Sequence, residues 1–307
     1  MQLLRSFEDI GTEDPICLSI GTFDGLHVGH GELLRRLVQR AKTDACRSVL
    51  VTFEPHPQQV VRRSKPTVRV LTSVDEKVAL LRSAGLDTVA LVRFTNKIAA
   101  VGAESFVETL AQTVRLRGMV VGESHAFGSG RKGNPALLVE LGRRFGFWTE
   151  VVPPVRMDGE TVSSTRIRTL LAEGAVEKAN RFLGRHYRVE GRVVEGKKLG
   201  SRLGFPTANL VPEPADKCVP GNGVYAVFVR IGGDSAIGSA NIGTAPTTGK
   251  KPRGLEVHVH GWSGELYGNR VAVEFVRRLR DERAFPSLDA LADQIQKDKE
   301  ESRKWLS

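Results

Sequence analysis

A chain of 307 residues exceeds the size that one hydrophobic core usually serves, which predicts two domains. Its 40% hydrophobic and 26% charged residues exclude a disordered chain, and the lack of any apolar run near the roughly 20 residues that cross a bilayer argues against a membrane. The formal charge of +10 invites a nucleic-acid partner, yet the basic residues are spread along the chain and aromatics are only 6%, which favours smaller polyanions such as nucleotides.

The N-terminus, MQLLRSFEDIGTEDP, turns acidic before a hydrophobic segment forms, which argues against a signal peptide and for a cytoplasmic protein. Apolar runs then recur at ICLSI (16–20), SVLVTF (48–53), TVALVRF (88–94), MVV (119–121) and WTEVV (148–152). Between the first two, Leu33, Leu34, Leu37, Val38 and Ala41 share one helical face. Strand alternating with helix predicts a doubly wound, Rossmann-like parallel sheet. From about residue 186 the pattern changes to YRVEGRVVEG, GVYAVFVRIGG, IGSANIG, LEVHVHG and RVAVEFV, in which Leu255, Val257 and Val259 alternate with Glu256, His258 and His260. That predicts an antiparallel barrel or sandwich, closed by a helix with Ser287 as its cap and Leu288, Leu291 and Ile295 on one side. The domains are expected at 1–184 and 185–307. Cys17, Cys46 and Cys218 are odd in number and form no CxxC pair, so they read as small buried residues.

Ligands of open parallel sheets bind beyond the carboxyl ends of the strands, and the chemically unusual loops lie there: GTFDGLHVGH after the first strand, EPHP after the second, GESHAFGSGRKGN after the fourth and SSTRIR (163–168) after the fifth. Glycines allow close backbone approach, and a helix starting near His30 offers N–H groups to an anion. His27 and His30 are then placed to donate to phosphate oxygens. A zinc site built from His27, His30 and His56, or an ordinary turn with satisfied histidines, are the competing readings. In GKKLGSRLGFPTANL (196–210), glycines and Lys197 suit a loop over phosphates, while Thr207 and Asn209 present oxygens to one side of an extended segment, as Mg²⁺ prefers. A proline-containing turn is the plainer alternative.

GTFDGLHVGH, TFEPHP and SSTRIR, in this order, resemble the adenylyltransferase half of the bifunctional prokaryotic riboflavin kinase/FAD synthetases. LGFPTAN, GVYAV (223–227), ANIGTAPT (240–247), LEVHV (255–259), LYG (266–268) and LRDERAFPSLDAL (279–291) follow in the order seen in riboflavin kinases. The resemblance implies MgATP-dependent phosphorylation of riboflavin to FMN on a C-terminal barrel, and adenylylation of FMN to FAD on the N-terminal sheet. Carried over by position, His27 and His30 act catalytically on ATP. Gly21, Phe23 and Gly29 bind its phosphates, and Ser164, Thr165 and Arg168 take the leaving diphosphate. Phe53, Pro55, His56, Pro57 and Phe127 contact flavin. In the kinase half, Glu256 is the implied base, Gly196, Lys197, Gly204 and Thr207 bind ATP, Thr207 and Asn209 hold Mg²⁺, and Arg280 contacts flavin.

The chain departs from the family pattern in GESHAFG, where Ser124 and His125 stand in place of an amide or carboxylate and an aromatic. This keeps a kinase with a weak or inactive adenylyltransferase domain as one alternative, and a basic nucleic-acid-binding protein as another of a different class. Oligomeric state is open.

Overall fold

The computed structural model describes every residue except Thr12, 62–67, 196–204, 245–252 and Ser307. The chain divides into two compact units, Met1–Ser164 and Thr165–Ser307.

The first unit carries a parallel sheet of β1 (Gln2–Leu4), β2 (Ile16–Ile20), β3 (Arg47–Glu54), β4 (Thr88–Arg93), β5 (Leu116–Gly122) and β6 (Trp148–Val152), in the order β1-β4-β3-β2-β5-β6. Every residue of β2 is buried, as an apolar run covered on both faces requires. The topology reverses at β2, which lies between β3 and β5. The strand at Gln2–Leu4 went unanticipated: it has three residues and pairs only with β4, at the edge. Helix α1 (Val28–Thr43) buries Leu33, Leu34, Leu37 and Ala41 against the sheet and ends with Arg40 and Lys42 in its last turn, where cations complement the dipole. The following helices are α2 (Pro57–Val61), α3 (Val74–Arg82), α4 (Asn96–Ala99), α5 (Ala103–Thr113) and α6 (Pro135–Phe145). A reciprocal capping box, Ser73 with Glu76, starts α3. A short hairpin, β7 (Arg156–Met157) and β8 (Glu160–Thr161), intervenes before SSTRIR.

Helix α7 (Ser164–Ala172) starts on the last residue of the first unit and runs into the second, where α8 (Val176–Leu183) follows. Strands β9 (Tyr187–Val194), β10 (Ala208–Pro212), β11 (Gly223–Ile231), β12 (Asp234–Gly243), β13 (Gly254–Val259) and β14 (Arg270–Arg280) then close an antiparallel barrel, ordered β10-β13-β12-β11-β14-β9. The expected alternation is clear in β9, whose Tyr187, Val189, Gly191 and Val193 are buried between more exposed neighbours. Asn180 ties α8 to the barrel: its Nδ2 donates to the Phe275 carbonyl at 2.8 Å and its Oδ1 accepts from the Tyr187 amide at 2.7 Å.

The last helix, α9 (Leu288–Leu306), is capped by Ser287, whose Oγ accepts from the Ala290 amide at 3.1 Å. Leu291 and Ile295 are half-buried, while Leu288, at the first turn, is 46% exposed. The helix fully buries Asp298 and Ser302, which meet Arg280 and Ser239 of the barrel.

Candidate active sites

The turn after β2 is fixed by one buried carboxylate. Asp24, 2% exposed, accepts from the backbone amides of Leu71 at 3.0 Å and Thr72 at 3.1 Å and from the Thr72 hydroxyl at 3.2 Å. The Gly25 amide donates to Thr72 Oγ1 at 3.2 Å, and Ser164 Oγ donates to the Asp24 carbonyl at 2.7 Å. These bonds hold the middle of GTFDGLH, at Asp24 and Gly25, and α1 begins directly after it.

His27 is the N-cap of α1: its Nδ1 accepts the His30 amide at 3.2 Å, so a neutral ring carries its proton on Nε2. The two imidazoles stack with centroids 3.6 Å apart and planes 13° from parallel, and the Phe23 ring backs His30 at 4.9 Å. The glycines leave room for this. A Cβ on Gly29 would come within 3.2 Å of the His27 ring, and one on Gly21 within 3.1 Å of Phe23. Gly21, Phe23, Gly29, His27 and His30 thus form one cluster at a helix N-terminus, where an anion meets N–H donors and the positive dipole end.

His56 lies after the cis Glu54–Pro55 peptide, with Pro57 opening α2 and its Nδ1 accepting the Gln58 amide at 3.2 Å. Phe53, 8% exposed, belongs to the sheet core, edge-on to Phe94 at 5.3 Å. Among the described residues, no group of three or more His, Cys, Asp or Glu is arranged to hold a metal, which leaves the zinc reading without support. In the departing loop, His125 stacks on Phe127 at 5.6 Å and 19°, and Phe127 meets Phe106 at 6.2 Å. Burial, with Arg131 as a smaller cause, lowers the His125 pKa to about 4. A neutral flat ring therefore stands where the family usually has an aromatic. Ser124 is exposed. Thr165 and Arg168 follow Ser164 along α7.

On the barrel, strand register assembles what sequence spacing could not. Asn209 of β10 pairs with Glu256 of β13, which pairs with Asn241 of β12. All three are half-buried, whereas Ala208, Leu210, Leu255, Val257, Ala240 and Ile242 beside them are buried. A polar row thus crosses three strands, with Thr207 just before β10. Hydroxyl, amide and carboxylate oxygens together suit a hard divalent cation, so this donor set fits Mg²⁺.

His258 lies two residues beyond Glu256, and its Nδ1–H donates to the Pro206 carbonyl at 2.9 Å, with Phe205 edge-on to its ring. That bond fixes the backbone immediately before Thr207. Burial lowers the His258 pKa against the opposing pull of this bond. His260 is lowered to about 3, mainly by burial, and its Nε2 meets Ser239 Oγ at 2.9 Å, which in turn meets Ser302 Oγ at 2.9 Å. The Arg280 guanidinium binds Asp298 of α9 through Nε at 2.9 Å and Nη2 at 2.7 Å. Gly196, Lys197 and Gly204 lie outside the described residues. Sequence reasoning missed Asn241, Asp24 and Asp298. Asp24 stands inside the quoted motif, but its partners are 47 and 48 residues away.

Comparison with known proteins matches both halves of the chain. A family model for FAD synthetase matches residues 10–166 and one for riboflavin kinase matches residues 183–306. The bifunctional riboflavin kinase/FMN adenylyltransferase of Haemophilus influenzae is 37% identical over 310 residues, covering all of both chains. The chain belongs to the bifunctional riboflavin kinase/FMN adenylyltransferase family. Other members include the Pseudomonas fluorescens protein, 37% identical over 97% of this chain and 96% of its own, and the Escherichia coli K12 protein, 36% identical over 100% and 98%. A crystal structure described as a macrolide-efflux protein from Streptococcus pneumoniae is 31% identical, covers 99% of this chain and 98% of its own, and superposes with a TM-score of 0.87. Within this bifunctional family, the sheet carries the histidine cluster and the barrel the Asn209–Glu256–Asn241 row.

Proposed function

We propose that the chain makes FMN from riboflavin and ATP on its barrel, and FAD from FMN and a second ATP on its parallel sheet, with release of pyrophosphate. The observation that carries this reading is the presence, in one chain matched by both family models, of two separate clusters suited to phosphate chemistry. We assign the adenylyltransferase to 1–184, including SSTRIR at the start of α7, and the kinase to 185–307. No helix among the described residues is long and apolar enough to cross a membrane, and the cytoplasm, where ATP is maintained, is the compartment that this reading assigns.

In the kinase half, the Glu256 carboxylate takes the proton of the ribityl 5′-hydroxyl as that oxygen attacks the γ-phosphorus, and ADP leaves. Thr207 and Asn209 would hold Mg²⁺, which when bound offsets phosphate charge. Gly196, Lys197 and Gly204 belong to the loop over the ATP phosphates, and Arg280 to the flavin end. His258 keeps the Pro206 carbonyl, and hence Thr207, in register with Glu256.

In the adenylyltransferase half, an FMN phosphate oxygen attacks the α-phosphorus of ATP, and the bond to the bridging oxygen breaks to release diphosphate. His27 and His30 donate to the phosphoryl oxygens as charge builds there. Gly21, Phe23 and Gly29 shape the turn around the phosphates. Ser164, Thr165 and Arg168 bind the diphosphate, Arg168 as a bidentate guanidinium. Pro55, His56, Pro57 and Phe127, with Phe53 behind them, line the flavin end. The stacking of His125 on Phe127 supports retention of this activity despite the altered loop, because the aromatic layer is kept.

Incubating the purified protein with Mg²⁺, ATP and either riboflavin or FMN, and separating the flavins chromatographically, tests the assignment. FMN and then FAD are expected from riboflavin. Accumulation of FMN with no FAD would remove the adenylyltransferase claim, and absence of FMN would remove the kinase claim.

A further inference from the structure

Lys77 is almost fully buried, 4% exposed, although lysine is among the residues least often found there. It lies on α3, directly after the capping box, and its Nζ donates to the Thr22 carbonyl at 3.1 Å. Among the described residues, that is the one hydrogen bond its ammonium makes. The same carbonyl accepts the Thr52 hydroxyl of β3 at 3.0 Å. Burial lowers the Lys77 pKa, while the nearby Asp24 and Glu54 carboxylates act in the opposite direction. A buried amine committed to one loop carbonyl is costly for the fold alone.

The carbonyl it holds has a consequence for its neighbour. Phe23 follows Thr22 with φ of +47°, a left-handed conformation that a bulky residue adopts only when its surroundings impose it. Two donors on the Thr22 oxygen fix the orientation of the Thr22–Phe23 peptide and so help to impose it. The Phe23 ring is the wall behind His30, and His30 stacks on His27.

We propose that Lys77 is a positioning residue for adenylyl transfer, acting through the Thr22 carbonyl and the strained Phe23 to hold the His27–His30 stack in place. The inference rests on the adenylyltransferase reading above. It assigns Lys77 no contact with substrate. Released from Lys77, the peptide can turn, Phe23 can relax to negative φ, and the wall behind His30 moves.

The test compares Lys77→Met and Thr52→Val, which each remove one of the two donors, in the full-length protein. Displacement of reacting groups by about 1 Å costs roughly 100-fold in rate, so Lys77→Met is expected to lower kcat for FAD formation by about that factor while KM for ATP changes by less than about threefold. Thr52→Val should move kcat in the same direction by a smaller factor. FMN formation from riboflavin, at Glu256 of the other unit, should stay within about twofold of wild type, and a Tm above the assay temperature shows that the sheet unit is folded. Independently of turnover, the ring ¹⁵N chemical shifts of His27 and His30 should move in Lys77→Met protein without ligand, because the stack and its Phe23 wall are displaced. Wild-type kcat with unmoved histidine resonances in both variants would overturn the proposal. So would loss of FAD formation accompanied by a Tm of the sheet unit below the assay temperature in both variants, which would reduce Lys77 to a stability residue. If wild-type protein makes no FAD from FMN, the functional reading fails separately, and the histidine ring resonances still decide whether Lys77 places the rings.

Discussion

Asp24 shows how one side chain sets the N-terminal turn. Its carboxylate gathers donors from Leu71 and Thr72, and leaving such buried donors unsatisfied costs about 1–3 kcal/mol each. Asp24→Ala is therefore expected to lower stability by about 3 kcal/mol in urea unfolding and to cut FAD formation while FMN formation persists; equal loss of both activities would contradict the localised role. His125 gives a pH prediction. Its folded-state pKa is depressed to about 4 from the ordinary histidine value of 6.5. The sign follows from linkage: a base held neutral by burial contributes stability that is present above its unfolded pKa and is lost as pH falls toward the folded value. Acidification from about pH 7 to about pH 4.5 should therefore lower the urea midpoint less in His125→Phe than in wild type. Equal falls would show that the ring is not buried as described.

At the level of elements, α9 is bound to the barrel through a nearly buried ion pair: Arg280 and Asp298 side chains are 20% and 5% exposed. Removing one partner leaves the other charge unpaired, at a cost of about 3–5 kcal/mol. Asp298→Ala should destabilise the barrel by that amount and raise KM for riboflavin, while Arg280→Met with Asp298→Ala should be less destabilising than the single change. A double variant as unstable as the sum of the two singles would show that the residues act separately. The apolar side was legible from helical spacing, and Leu291 and Ile295 are half-buried; the contacts of Asp298 with Arg280 and of Ser302 with Ser239 were not, because spacing does not say what the opposing surface carries. The strand Ala208–Pro212 was equally hard to read, since prolines at 206 and 212 give its segment the composition of a turn. The buried runs at β2, β3 and β4 were legible because parallel strands covered on both faces need continuous apolar stretches.

Over the whole molecule, the change from helix-strand alternation to period-two runs marked two architectures correctly, and the motif loops fell at the carboxyl ends of the parallel strands. The pairing of Asn209 with Glu256 and of Glu256 with Asn241 was not legible, because register joins residues 47 and 15 positions apart only after the barrel closes. His27 and His30 were legible as a pair, but their stacking depends on Gly21, Gly29 and Phe23 acting together. The central claim is that one chain carries two chemistries on separate side chains. Its most direct test is the flavin product profile of Glu256→Gln and His30→Ala measured side by side. Glu256→Gln should make no FMN from riboflavin yet convert supplied FMN to FAD, and His30→Ala should make FMN and stop there. A Glu256→Gln protein that phosphorylates riboflavin at the wild-type rate, or a His30→Ala protein that makes FAD normally, would contradict the account.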